Sequence, residues 1–158
     1  MFRTHRDEIG GIAAHLPAVR SVELRSRTQH ARGTLELVHR WYGTKSALPA
    51  LIRPAVPQDL LVWDQRTVWD PAGWVADWTI DVFSVGGAVV CDGRNTYLEG
   101  RRGCVIEVRG DFAFRPERVP QLSGVPRAAV PVVERAVVSV IVPLIKQTGA
   151  AVAAYLAA

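Results

Sequence analysis

Between residues 60 and 115 the chain alternates apolar and polar positions with a period of two, which predicts a series of half-buried strands. In the register that the turns suggest, the large apolar and aromatic side chains share one face. Asp64, Asp77, Asp81, Asp92, Glu107 and Asp111 all take the other. A sheet with one apolar face needs a cover, and residues 127–156 can supply it. There Val130, Val133, Val137, Ile141, Leu144, Thr148, Val152 and Tyr155 recur at helical spacing, with Pro143 predicting a kink. The pattern predicts an α+β fold: a curved antiparallel sheet of six to seven strands around a long C-terminal helix, with a cavity between them.

Along the chain, Thr4 and Asp7 resemble a capping box, and Ile9, Ile12, Ala13 and Leu16 predict a short amphipathic helix over residues 5–16, weakened by Gly10 and Gly11. A first hairpin follows, with Val22 and Leu24 on one strand, a polar turn at residues 29–33, and Leu35, Leu37, His39 and Trp41 on the next. Residues 46–57 carry Pro49, Pro54 and Pro57 and predict a loop with at most one helical turn, placed to cross the mouth of a cavity.

The second hairpin turns at Asp70-Pro71-Ala72-Gly73, a type I signature. It predicts Trp69 opposite Trp74, Thr67 opposite Ala76, Gln65 opposite Trp78, Trp63 opposite Ile80 and, outside, Arg66 opposite Asp77. After a turn at residues 84–87, a third hairpin through residues 99–102 predicts Leu98 opposite Gly103, Tyr97 opposite Cys104, Asn95 opposite Ile106 and Gly93 opposite Val108. Outside, that register pairs Arg94 with Glu107 and Asp92 with Arg109, which favours it over a slipped one. Phe112 and Phe114 end the last strand. A loop through Gly124 then leads to a helix start near Pro126.

The 158 residues predict a single domain over residues 1–158. The net charge of +4 rests on scattered arginines, with no recognition-helix pattern, so no nucleic-acid partner is expected. Residues 128–156 are interrupted by Glu134, Arg135, Pro143 and Lys146, which argues against an integral membrane segment. The N-terminus lacks the apolar core of a signal peptide, and a cytoplasmic protein is the expectation. Cys91 and Cys104 fall out of register for a disulfide and lack zinc-site spacing, so both are expected as free, buried thiols with no metal bound. Phosphate-cradling glycine loops are absent, and no cofactor is expected.

Several segments together resemble the START-like (SRPBCC) superfamily, the helix-grip fold of lipid carriers and polyketide cyclases, and its uncharacterised bacterial members in particular. They are residues 12–19 (Ile-Ala-Ala-His-Leu-Pro-Ala-Val), Trp63, Trp69-Asp70, Trp78-Thr79-Ile80, Cys91-Asp92-Gly93-Arg94, Gly110-Asp111-Phe112 and residues 130–134 (Val-Pro-Val-Val-Glu). The likeness spans nearly the whole chain, but its motifs are structural and imply no shared chemistry. That family begins with a strand before the first helix, for which residues 1–3 are barely long enough. A rudimentary strand or a start further upstream would account for this. A sheet edge left uncapped would invite a partner strand, giving a homodimer.

If the apolar parity faces inward, His39, Gln65, Thr67, Asn95 and Tyr97 go in with it, as oriented ligand contacts or as polar groups satisfied near strand ends. Of the tryptophans, Trp41, Trp63 and Trp78 are candidate pocket walls, with core filling as the alternative for all five. His39 is the one acid/base candidate of the shell, with Tyr97 as its partner. His5, His15 and His30 are expected in exposed or helix-end positions without a role. Carboxylates on the outer face exclude paired-acid chemistry, and no Gly-x-Ser-x-Gly elbow occurs. The sequence favours a carrier of a small hydrophobic molecule. The alternatives are an aromatase/cyclase- or dehydratase-like enzyme and a dimeric interaction module with a filled core.

Overall fold

The computed structural model describes residues 1–48, 50, 53–55, 58–85, 87–101, 103–115, 118–119, 128 and 130–158; for residues 47, 55, 60, 85, 130 and 132–144 it describes the backbone alone. Among these residues six strands lie in sequence order across one antiparallel sheet: β1 (Val19–Gln29), β2 (Leu35–Gly43), β3 (Val62–Asp70), β4 (Val75–Asp81), β5 (Val89–Gly100) and β6 (Gly103–Phe114). Two short helices, α1 (Phe2–Asp7) and α2 (Ile9–Ala13), precede the sheet, and α3 (Val130–Ala157) follows it. The sheet is curved, and the arrangement is consistent with a helix-grip fold.

Alternation decides which face is buried. Along β2, Leu35, Leu37, His39 and Trp41 are buried and the residues between them half-buried. Trp69, Ala76, Trp78, Ile80, Cys91 and Tyr97 continue that inner face across the sheet. The outer face carries ion pairs. Arg40 chelates Asp64 at 2.9 and 3.1 Å, and Arg66 reaches Glu36 at 3.1 Å rather than Asp77.

Both later hairpins differ from the expected register by two residues. In the second, Trp69 lies opposite Ala76, Thr67 opposite Trp78 and Gln65 opposite Ile80. The reason lies in the turn: Asp70 Oδ1 accepts the Ala72 N–H at 2.9 Å, and Trp74 adopts a left-handed conformation (φ 51°), so the ladder restarts at Val75. In the third, Gly100 pairs with Gly103, leaving a two-residue connection between glycines. Tyr97 then meets Ile106, Asn95 meets Val108 and Gly93 meets Gly110. This sets Arg94 opposite Arg109 and Asp92 opposite Asp111, against the expected charge pairing. Neighbours compensate, because Arg94 chelates Asp77 of β4 at 2.6 and 2.8 Å and Arg109 pairs with Glu107 of its own strand at 2.6 Å.

The N-terminal helix is also revised. It starts at Phe2 with no side-chain cap, contains Thr4 rather than being capped by it, and breaks at Glu8 (φ −114°, ψ 27°). Within residues 46–57 the backbone makes parts of two 3-10 turns, Lys45–Ala47 and Arg53–Ala55, with Leu48 buried; Pro49 and Pro57 lie outside the described residues. Both cysteines are free, but Cys104 is exposed at the hairpin end. Cys91 is buried, and burial together with the Asp92 charge pushes its thiol up to about 11.

The α3 backbone is helical through Pro143. Ile145 packs on the Trp78 cluster, while Ala151 and Val152 pack with Ile12, Ala13, Leu16 and Trp41. The Ala-rich end therefore seats on α2 as well as on the sheet, and the Tyr155 ring lies so close to Gly11 that a Cβ there would collide with it. Side chains at the expected stripe positions Val130, Val133, Val137, Ile141 and Leu144, together with Gly124 and Pro126, fall outside what is described.

Candidate functional site

A cavity of about 50 Å³ lies where the three layers meet. The sheet contributes Trp41, Trp63, Gln65, Trp78, Ile80, Asn95 and Val108, the N-terminal segment His5, Ile9 and Leu16, and α3 Ile145 and Thr148. No carboxylate, lysine or arginine is among these residues. The volume admits one or two water molecules and is far below the roughly 300 Å³ of a small-molecule pocket. A larger depression of about 420 Å³ lies on the outer face, over Gly93 and Gly110. Arg66, Asp77, Arg94 and Arg109 around it are in ion pairs, and it opens to solvent.

Of the residues expected in a pocket, Trp41, Trp63, Gln65, Trp78 and Asn95 line the cavity, whereas His39, Thr67 and Tyr97 are buried beside it. Gln65 Nε2 donates to Thr67 Oγ1 at 3.3 Å within β3. Trp41 and Trp63 stack with centroids 6.1 Å apart and planes 6° apart. The Trp78 ring lies over Gly93 and Gly110, where any Cβ would collide with it.

His5 is the residue that sequence reasoning missed. Expected at the surface, it is 4% exposed, with Nδ1 2.5 Å from the Tyr97 hydroxyl and its ring T-shaped against Trp69. The signal lay in spacing: Phe2, His5, Ile9 and Ile12 form one helical stripe once the helix starts at Phe2. Phe2, packed on Trp69, Trp74 and Tyr97, pins that stripe to the sheet.

Two buried side-chain hydrogen bonds join residues at and beside the cavity. Trp78 Nε1–H can only donate, and it does so to Asn95 Oδ1 at 2.9 Å. The Tyr97 hydroxyl and His5 Nδ1 share a second buried hydrogen bond, in which the imidazole tautomer sets the donor. Burial pushes the Tyr97 phenol well above its ordinary range. Burial, and after it the charge of nearby His39, lower His5 to about 4, and burial lowers His39 to about 4. Both imidazoles are neutral at pH 7.

Among the described residues no cluster of three or more His, Cys, Asp or Glu could hold a metal ion, and no helix is long and apolar enough to cross a membrane.

Fold and site define an α+β protein with a small, aromatic-lined cavity under its closing helix. The chain is similar in fold to the crystal structure of TTHA0849 from Thermus thermophilus, with a TM-score of 0.61 and 16% identity, covering 97% of this chain and 87% of that one. It also matches the di-domain ARO/CYC StfQ from the steffimycin biosynthetic pathway, with a TM-score of 0.42 and 14% identity over 94% of this chain and 40% of that one. No protein-family model matches the chain, and no curated protein does.

Proposed function

We propose that this protein is a START-like (SRPBCC) domain that binds a small hydrophobic molecule between the sheet and α3. The observation that carries the reading is the composition of the cavity wall: stacked indoles, aliphatic side chains, neutral polar groups and, among the described residues, no formal charge. Such a surface rewards an apolar guest and penalises an ion. At about 50 Å³ the cavity is too small for a guest of ordinary size, so binding one displaces α3 or the α1–α2 segment. Native mass spectrometry of gently purified protein, with denaturing extraction, tests this. A discrete apolar adduct is expected. A clean apo mass, together with a crystal structure whose interior is filled, would overturn it and leave a dimeric module with a solid core.

A second reading is favoured by the His5–Tyr97 contact, which sets an imidazole of the cavity wall at hydrogen-bond distance from a phenol buried beside it. In an aromatase/cyclase- or dehydratase-like enzyme this pair, with His39 behind it, would move a proton on the bound molecule. His5→Ala would then abolish turnover while leaving ligand affinity nearly intact.

A further inference from the structure

Three buried indole N–H groups, those of Trp41, Trp63 and Trp69, have no partner among the described residues, and the first two of these residues line the cavity. Trp41 is 5% exposed. An indole nitrogen can only donate. Protein interiors pair nearly all such groups, so two unpaired donors on stacked rings of one wall mark a place where an acceptor belongs.

We propose that the cavity takes a flat, uncharged apolar molecule by a carbonyl-type oxygen, which accepts from the indole N–H groups of Trp41 and Trp63. The proposal rests on the ligand-binding reading above and names its chemistry. A carboxylate head would meet no cation among the described lining residues to offset its desolvation. An amine would set donor against donor. The competing occupant is water, which also accepts and which the small cavity has room for.

The test compares 1-indanone with indane, which has a methylene in place of the carbonyl. The full chain, labelled with 15N, is titrated with each while the five indole N–H resonances are followed, and Trp41→Phe and Trp63→Phe identify two of them. The ketone is expected to bind at least about tenfold more tightly, because the hydrocarbon leaves buried donors unpaired. It is also expected to move the Trp41 and Trp63 signals more than that of Trp78, whose N–H already has Asn95. Trp63→Phe should narrow the preference. Equal affinities, or a ketone that leaves both indole signals in place, would overturn the proposal while ligand binding stands. Failure of both probes to bind would overturn the binding reading itself.

Discussion

His5 shows how much of this protein's chemistry depends on one buried ring. An imidazole held near pKa 4 in the fold and near 6.5 in the unfolded chain binds fewer protons folded than unfolded between those values. Its contribution to stability is therefore fully present above about pH 6.5 and lost as the pH falls towards 4. For His5 the loss is about 3 kcal/mol, with His39 adding in the same direction. Urea titrations from pH 7.5 to 4.5 should show this slope, and His5→Asn should flatten it. A steric prediction belongs to the same scale. A Cβ on Gly93 would meet the Arg109 carbonyl and the Trp78 ring within van der Waals distance, so Gly93→Ala should cost about 1–3 kcal/mol, read from the denaturation midpoint.

At the scale of elements, α1, like the five-residue α2, could not form alone. Six residues without a side-chain cap make a marginal helix, so its order comes from docking Phe2 and His5 on the sheet. Phe2→Ala should cost roughly 3 kcal/mol and, by freeing α1, return the His5 pKa towards 6.5, which an imidazole NMR titration would reveal. The hairpins teach the complementary lesson. A two-residue slip preserves strand parity, so Thr67, Trp69, Ala76, Trp78, Asn95 and Tyr97 were assigned to the inner face correctly while their partners were not, and Trp74 left the ladder altogether. Charge pairing favoured the slipped register because it considered two strands, whereas Arg94 is satisfied by Asp77 on a third.

At the scale of the whole molecule, the closing helix is the element suited to opening. Its described C-terminal half is Ala-rich and buries few large side chains, Ile145 and Val152 chief among them, against a sheet held by continuous ladders. Amides of residues 145–157 should exchange faster than those of β2 to β5, and a bound guest should slow them; hydrogen exchange with and without ligand checks both. Outer-face charge, inner-face aromatics, the order of the hairpins and a long C-terminal helix were all determined by the sequence itself, because each follows from a local period of 2 or 3.6. The exact registers, the break at Glu8, the burial of His5, the unpaired indoles and the small volume of the cavity were decided by the tertiary structure alone. They depend on which side chains from distant segments meet, and no local period carries that information.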